Sequence, residues 1–259
     1  MSLLGTIGTY LPIGILSIVY TSLFVVVEWM KVMNRRRAVA GEIAVESEKM
    51  RLFYVEGNIG CGKSTLLKQL LNIRESVLFE PIERWQNAEG RNLLKEFYTS
   101  PALAGAEFQR FALHNMIARE NQCSPTNNRY FLERSPFTST NIFAQMGLEA
   151  GWLTTTTVFE DLKHAYNRYE QSKPVAERHI IYVRTLPETA LARIRSRGRS
   201  EELNITQQYI DSLHQQHELL FRLQPPKGVA DVHVVNNDGS SEALCDAVLK
   251  IVNSLPSHQ

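Results

Sequence analysis

An eight-residue segment, Gly57 to Ser64, has a spacing of glycines, lysine and serine that suits the binding of an anion. It reads Gly-Asn-Ile-Gly-Cys-Gly-Lys-Ser and matches the phosphate-loop pattern G-x-x-x-x-G-K-[ST] in full. Such a loop directs its backbone amides toward phosphate, and the helix that follows adds a partial positive charge. The pattern predicts that Lys63 contacts the β and γ phosphates of ATP and that the Ser64 hydroxyl is a ligand of Mg²⁺. The expected nucleotide-binding residues are Gly57, Asn58, Ile59, Gly60, Cys61, Gly62, Lys63, Ser64 and Thr65.

The segments on either side of this loop have the patterns that a phosphate loop requires. Residues 51–55 form an apolar run typical of a buried strand, and residues 65–71 have the periodicity of an amphipathic helix. A flexible glycine turn without function would need neither. The loop therefore lies at a strand-to-helix junction, as the motif demands.

Four further apolar runs, at residues 76–79, 129–132, 179–183 and 231–235, are separated by helical patterns. Five strands alternating with helices predict an α/β fold with a five-stranded parallel sheet and helices on both faces. With the phosphate loop, and with the arginine-rich segment 193–202 as a lid, this pattern predicts a P-loop kinase fold. Ligands of such sheets bind beyond the carboxyl ends of the strands.

Polar residues follow two of these strands directly. Glu80 comes after the second strand, and Glu133 with Arg134 after the third. A carboxylate beside a phosphate loop can orient an attacking hydroxyl and accept its proton, which favours a catalytic Glu80 over an ordinary surface acid. Glu133 and Arg134 by themselves are read equally well as a structural ion pair, and Trp85 as a core residue.

The segment from Arg193 to Glu202 holds four arginines, one glycine and two acids. It is either a solvated helix face or a mobile lid whose guanidinium groups cross the transferred phosphate. We favour the lid because Gly198 interrupts the helix and a phosphate loop lies upstream.

The first 33 residues form a separate apolar segment with no charge before Glu28, and residues 34–49 have the composition of a linker to a domain at 50–259. The apolar stretch exceeds the roughly 20 residues needed to span a bilayer. The following arginines, Arg35 to Arg37, would place the rest of the chain in the cytosol or the mitochondrial matrix. We favour a membrane anchor over an atypical targeting segment or an apolar extension packed on protein.

The overall composition argues for a small-molecule partner. The chain has 259 residues, 28 basic and 27 acidic, so no global charge favours nucleic acid. Its three cysteines are odd in number and lack metal-ligand spacing, which is typical of reduced thiols.

Four motifs occur in the order and spacing of the deoxyribonucleoside kinase family, which this chain resembles from about residue 50 to residue 255. They are the phosphate loop, Glu80-Pro-x-x-x-Trp85, Glu133-Arg134-Ser135 and Arg195-x-Arg-Gly-Arg-x-Glu-Glu202. The likeness is greatest to the branch of mitochondrial thymidine kinase and the insect multisubstrate deoxynucleoside kinase. It implies an ATP- and Mg²⁺-dependent enzyme of nucleotide salvage that phosphorylates the 5′-hydroxyl of deoxyribonucleosides, and it implies a homodimer.

The resemblance also implies roles for individual residues. The catalytic set is Glu80 as the base, with Lys63, Arg134 and the lid residues Arg195, Arg197 and Arg199. Ser64 and Glu133 are the expected metal ligands. By the same resemblance, Tyr98 and Glu202 hold the 3′-hydroxyl, Gln109 pairs with the base edge and Phe143 stacks on the base. The full substrate-binding set is Glu80, Trp85, Tyr98, Gln109, Ala112, Met116, Arg134, Ser139, Phe143 and Glu202.

Two positions of the base pocket bear on the choice of nucleoside. Met116 and Ser139 are neutral. By the resemblance, the matching positions in the deoxycytidine and deoxyguanosine kinase branch hold an arginine and an aspartate. A neutral pocket leaves room for the thymine methyl group, so we expect thymidine and deoxycytidine to be preferred. The small Ala112 is expected to admit purines weakly.

Two other readings remain open. A nucleoside monophosphate kinase shares the loop and lid but needs basic residues for the acceptor phosphate, where this chain has the acidic Glu80 segment. A non-catalytic structural subunit of kinase fold in a membrane complex would fit the apolar N-terminus. Such a scaffold has no need of Lys63, Ser64, Glu80 and the lid arginines.

Overall fold

A single parallel sheet organises the computed structural model, which describes Lys31 and residues 50–153, 155–239 and 241–256. The five strands lie in the spatial order β2-β3-β1-β4-β5. Their bounds are β1 Arg51–Glu56, β2 Val77–Leu78, β3 Arg129–Glu133, β4 Glu177–Arg184 and β5 Asp231–Asn236. The predicted α/β class with a parallel sheet is confirmed.

Helices connect the strands and cover the sheet. They are α1 Lys63–Asn72, α2 Ile82–Gln86, α3 Leu93–Thr99, α4 Pro101–Glu120, α5 Pro136–Thr138 continuing through Ser139–Ala144 to Gln145–Glu149, α6 Thr156–Ser172, α7 Pro187–Arg197, α8 Gln207–Glu218 continuing through Leu219–Leu223, and α9 Ser241–Ser254. The middle section of α5 and the last section of α8 are π-helical. A short 3₁₀ turn, Ser200–Glu202, follows α7.

The sheet is buried on both faces, because successive side chains of each strand point in opposite directions. Phe53 and Val55 of β1 belong to a core that contains Leu70 of α1. Leu52 and Tyr54 belong to the opposite core, formed with α7 and α8. The central strand is therefore apolar along its length, as the sequence pattern indicated.

The strand order brings the residues that end β1 and β3 together. In the parallel register Val55 of β1 lies beside Glu133 of β3, and Glu56 lies beside Tyr182 of β4. The phosphate loop leaves β1 at this point, so it emerges next to the polar residues that end β3.

Close packing between the phosphate loop and α7 requires a glycine at position 60. Gly60 has a φ of +77°, and a Cβ atom there would lie 2.4 Å from the Ala190 carbonyl oxygen of α7. Both the backbone conformation and the lack of space exclude larger residues. The loop is thus packed against the helix that carries the arginine-rich segment.

The predicted apolar segment 1–33 and linker 34–49 lie outside the described residues, apart from the helical Lys31. Within the described ranges, no helix combines the length and apolar character needed to cross a bilayer. The membrane anchor thus stays a prediction.

Two adjacent leucines of α1 allow a test of the packing between this helix and the sheet. Leu70 is fully buried, whereas Leu71 is 49% exposed. We predict that Leu70→Ala lowers the free energy of unfolding by about 2–5 kcal/mol, because it leaves a cavity in the core. Leu71→Ala, the matched control, should change it by less than about 0.5 kcal/mol. Denaturant titration measures both values, and equal losses would contradict the assigned orientation of α1.

Candidate active site

A cavity of about 530 Å³ lies at the carboxyl edge of the sheet, between the phosphate loop, α2 to α5 and the end of α7. Its walls include most of the residues predicted as site residues. These are Ile59, Gly60, Gly62, Lys63, Ser64, Thr65, Glu80, Trp85, Tyr98, Gln109, Ala112, Met116, Glu133, Arg134, Ser139, Phe143, Arg197, Arg199 and Glu202. The fold thus brings four separate sequence motifs to one cavity.

The phosphate loop forms one end of this cavity. Lys63 is buried, and its Nζ donates hydrogen bonds to the carbonyl oxygens of Gly57 at 3.1 Å and Asn58 at 2.8 Å. Burial lowers the pKa of Lys63, and the nearby positive charge of Arg134 lowers it further. The side chain of Asn58 donates to the Ile210 carbonyl oxygen at 2.9 Å and so fastens the loop to α8.

Three residues predicted to bind the nucleotide, Gly57, Asn58 and Cys61, are not among those that line the cavity. They lie on the buried side of the loop, where Cys61 is fully buried. The Cys61 carbonyl oxygen accepts hydrogen bonds from Thr185 Oγ1 at 3.2 Å and Asn237 Nδ2 at 2.7 Å. In this arrangement these three residues set the shape of the loop.

Ser64 and Glu133 provide a pair of oxygen ligands suited to Mg²⁺. The Ser64 hydroxyl donates to Oε1 of Glu133 at 2.5 Å, and Oε2 of Glu133 accepts from the backbone amide of Glu80 at 3.2 Å. Among the described residues, no cluster of three or more histidine, cysteine or acidic side chains could hold a metal by itself. Two oxygen ligands beside a phosphate site still fit Mg²⁺, which usually takes its remaining ligands from water and substrate phosphates.

Glu80 and Arg134 form an ion pair on the wall of the cavity. The Arg134 Nε lies 3.1 Å from Oε1 of Glu80, and the side chain of Arg134 is 5% exposed and that of Glu80 14% exposed. Burial raises the pKa of Glu80, with a further increase from Glu133, and Arg134 opposes this shift. A raised carboxyl pKa is a common property of catalytic bases that act near neutral pH.

The backbone at the end of β3 is held in an unusual conformation. Arg134 has a φ of +61°, which is uncommon for a residue with a side chain. The buried Arg119 of α4 donates to the carbonyl oxygens of Glu133 and Arg134, both at 2.6 Å. These two hydrogen bonds hold the turn that directs Arg134 toward Glu80.

Aromatic side chains line the other end of the cavity. Trp85 packs edge-on against Phe108 with ring centroids 5.5 Å apart, and Phe97 stacks on Phe108 at 4.7 Å. On another wall, the Arg134 guanidinium lies 4.8 Å from the centre of the Phe143 ring. Flat apolar walls of this kind suit a planar heterocyclic base.

The π-helical section of α5 positions two predicted substrate residues. This section begins at Ser139 and includes Phe143, and both side chains reach the cavity. A π turn changes the angular register of the residues that follow it, and such turns are frequent at functional sites.

Tyr98 and Glu202, the predicted contacts of the 3′-hydroxyl, lie on the same side of the cavity. Burial raises the pKa of Tyr98, and the charges of the neighbouring Tyr209 and Glu202 raise it further. Glu202 accepts hydrogen bonds from Arg197 at 2.5 Å and Arg199 at 2.8 Å. The carboxylate thus links the tyrosine side of the cavity to the lid.

The structure places two of the three predicted lid arginines on the cavity. Arg197 and Arg199 line it, and Arg195 does not. Arg193, which was not predicted, also lines the cavity, because it shares a helix face with Arg197 four residues later. The lid role of Arg195 stays a prediction. One buried nitrogen of the Arg193 guanidinium, NH1, has no hydrogen-bond partner within the described residues.

Sequence reasoning missed four charged residues of the site: Glu56, Lys68, Arg119 and Arg193. Helical spacing from Arg197 would have indicated Arg193. Glu56 is fully buried at the end of β1, and its Oε1 accepts from the Ser135 amide at 2.9 Å and the Ser135 hydroxyl at 2.6 Å. No local pattern distinguishes Glu56 or Arg119, because their partners come from distant strands.

A phosphate loop, a buried carboxylate opposite it and an arginine-bearing helix beside both define a P-loop phosphotransferase. Comparison with known proteins identifies the group more closely. The family model for deoxynucleoside kinase matches residues 53–253. The chain therefore belongs to the deoxynucleoside kinase family, whose members are enzymes that phosphorylate nucleosides.

Individual relatives agree with this assignment. The chain is 30% identical to the thymidine kinase of Ictalurid herpesvirus 1 (strain Auburn), over 78% of this chain and 85% of that protein. It is 30% identical to human mitochondrial thymidine kinase 2, over 71% and 69% of the two chains. It is also 31% identical to human deoxycytidine kinase, over 67% and 76%. These similarities give no support to the alternative of a structural subunit.

The environment of Glu80 leads to a prediction about pH. Because its pKa is raised, the protonated carboxyl persists above the usual range near 4.5, and kcat should rise with pH through the raised value. Arg134 lowers this pKa, so Arg134→Gln should move the acid limb of the kcat profile to higher pH. Glu80→Gln, the control, should remove most turnover while nucleoside binding is kept. An unmoved acid limb in Arg134→Gln would contradict the assignment.

Proposed function

We propose that the protein transfers the γ-phosphoryl group of ATP to the 5′-hydroxyl of deoxyribonucleosides and prefers thymidine and deoxycytidine. The observation that carries the proposal is the Glu80–Arg134 pair at 3.1 Å, on the wall of the cavity that also contains Lys63 and Ser64. A base in that position lies between a phosphate site and an apolar pocket. This is the arrangement that transfer to a nucleoside hydroxyl requires.

In this proposal Glu80 orients the 5′-hydroxyl and accepts its proton during attack on the γ phosphate. Arg134 keeps Glu80 in place and limits the rise of its pKa. Lys63 compensates the negative charge of the β and γ phosphates from the side of the loop. The lid arginines stabilise the negative charge of the transferred phosphoryl group. Arg193, Arg197 and Arg199 are the lid arginines whose positions support this role.

Mg²⁺, held by Ser64 and Glu133, would supply the remaining charge compensation on the phosphates. The hydrogen bond of 2.5 Å between these two side chains supports a shared role at the metal. The Glu133 carboxylate also accepts a hydrogen bond from the Glu80 amide. One carboxylate therefore contacts both Ser64, the other proposed metal ligand, and the backbone of Glu80, the proposed base.

The preference for pyrimidines rests on the composition of the apolar end of the cavity. The Arg134 guanidinium lies 4.8 Å from the centre of the Phe143 ring. The neutral lining residues of this end are Ile82, Trp85, Leu94, Phe97, Phe108, Gln109, Ala112, Met116, Ser139 and Phe143. Gln109 is 2% exposed and is the largest polar side chain of this group. It is our candidate for hydrogen bonding to the edge of the base, with Phe143 as the stacking ring.

The acidic wall also argues against a nucleoside monophosphate as the acceptor. An acceptor phosphate beside Glu80 would meet a carboxylate, and like charges at short range repel. Arg134, whose Nε lies 3.1 Å from Oε1 of Glu80, is already paired with that carboxylate. A neutral hydroxyl avoids this conflict.

A competition assay tests the proposed substrate class. With the four deoxynucleosides at equal concentration, we expect thymidine and deoxycytidine to exceed the purines in kcat/KM by about 10- to 200-fold, the range typical of discrimination by size. Lys63→Ala should abolish transfer to all four, which shows that the phosphate loop is responsible for the measured activity. A higher kcat/KM for deoxyguanosine than for thymidine would overturn the assigned base pocket.

We further propose that residues 1–33 attach the enzyme to a membrane, with the kinase domain on the side of Arg35 to Arg37. The support is the strongly apolar stretch without charge before Glu28, and the basic residues Arg35 to Arg37 that follow the segment. The homodimer implied by the family resemblance and a mitochondrial location also stay predictions.

Membrane fractionation tests the anchor. The full chain should sediment with membranes and resist extraction at high salt, whereas a variant without residues 1–33 should remain in the supernatant. Should the full chain stay in the soluble fraction at neutral pH with its N-terminus uncleaved, the anchor is excluded. Cleavage would instead indicate a targeting segment.

A further inference from the structure

Glu201 lies beside the lid arginines but faces away from them. It belongs to the 3₁₀ turn Ser200–Glu202 and is 7% exposed. Its Oε1 accepts two hydrogen bonds, from Gln86 Nε2 at 3.0 Å and from Asn92 Nδ2 at 2.8 Å. The next residue, Glu202, binds the arginines of the lid instead. Consecutive carboxylates thus hold two different parts of the molecule.

The two donors to Glu201 belong to the elements that build the apolar end of the cavity. Gln86 is the last residue of α2 and follows Trp85 directly. Asn92 is the N-cap of α3, the helix that carries Phe97 and Tyr98. A single carboxylate therefore connects the lid to both helices of this wall.

The geometry of Asn92 makes this connection specific. Its Oδ1 accepts from the Lys95 amide at 2.9 Å, as an N-cap does, so its Nδ2 group is left to find a separate acceptor. A tight turn precedes it, closed by backbone hydrogen bonds of 2.8 and 3.0 Å between Ala88 and Arg91. The preceding turn and the N-cap hydrogen bond therefore hold Asn92 in the position from which it donates to Glu201.

The hydrogen bonds also keep Glu201 ionised. The pKa of Glu201 is lowered to about 2, and the hydrogen bond from Asn92 is the largest cause. Hydrogen bonds from the backbone, Gln86 and Ser200 lower it further. Hydrogen bonds to a charged acceptor are stronger than those between neutral groups. The contact between the lid and the wall is therefore stronger than an exposed polar contact.

We propose that Glu201 is a positioning residue that couples the arginine lid to the nucleoside wall, so that an occupied nucleoside pocket favours the lid position needed for phosphoryl transfer. The inference rests on the proposed function, because it assumes that the wall formed by α2 and α3 binds the nucleoside. In this arrangement, movement of either helix is transmitted to Arg197 and Arg199 through the 3₁₀ turn. Binding of the two substrates is then cooperative.

The test measures this cooperativity directly. The affinity for thymidine is determined with and without a non-hydrolysable ATP analogue, in the full chain and in Glu201→Gln, which keeps the size of the side chain and removes its charge. In the full chain we expect the analogue to tighten thymidine binding by at least about fivefold, a usual size for coupling between sites. In Glu201→Gln the ratio should approach one and kcat should fall, while thymidine binding alone stays within twofold.

Gln86→Leu removes one donor from the opposite side and serves as a second variant, so the test remains decisive if Glu201→Gln folds poorly. It should reduce the ratio in the same direction, and the two changes together should be less than additive. Leu203→Ala is the matched control, since Leu203 follows the same turn and is 77% exposed. It should leave the ratio and kcat unchanged.

A coupling ratio within twofold of the unaltered chain in both variants would overturn the proposal. A loss that merely reduced the folded fraction would lower the apparent kcat but leave the ratio intact, and this outcome also counts against the proposal. Failure of the proposed function is recognised separately, because then the unaltered chain itself would phosphorylate none of the four deoxynucleosides.

Discussion

The arrangement of the site depends on balancing charge in a place that water hardly reaches. Six charged side chains are gathered where β1 and β3 end, three acidic and three basic: Glu56, Lys63, Glu80, Arg119, Glu133 and Arg134. An isolated buried charge is very costly, so each of these groups needs compensation from the others or from hydrogen bonds. Burial raises the pKa of Glu56 and Glu80 and lowers that of Lys63, and the neighbouring opposite charges offset these shifts only in part. The burial that raises the pKa of Glu80 makes its carboxylate a stronger base than an exposed one.

The parallel sheet makes this concentration of charge possible. Strands that run in one direction end at one edge, so residues far apart in sequence meet there without long loops. The register sets Val55 beside Glu133, and Arg119 reaches across from α4 to hold the carbonyl groups of the turn that follows. Arg134 can keep its uncommon positive φ because these contacts determine its backbone. The conformational cost at Arg134 is offset by these hydrogen bonds and by the ion pair that its guanidinium forms with Glu80.

Sequence reasoning identified what depends on local pattern and missed what depends on tertiary packing. The five strands were predictable because buried parallel strands are short apolar runs, and the phosphate loop because its spacing is itself the function. The presence of Arg193 at the cavity was predictable as well, since helical periodicity alone places it on the face of Arg197. The π-helical section that brings Ser139 and Phe143 to the cavity has no such signal, because packing around α5 decides it. Likewise, nothing near Glu201 in the sequence points to Gln86 or Asn92 as its partners.

The groups that would contact the phosphates are held by partners within the chain. Lys63 donates to two loop carbonyl oxygens, Ser64 to Glu133, and the lid residues Arg197 and Arg199 to Glu202. Binding therefore exchanges one set of hydrogen bonds for another, so the net gain from each contact is smaller than its strength in isolation. The same internal bonds keep the side chains close to the positions where they are needed, which reduces the entropy lost on binding. Glu202 is the common acceptor of two lid arginines, so the position of one carboxylate fixes both guanidinium groups at once.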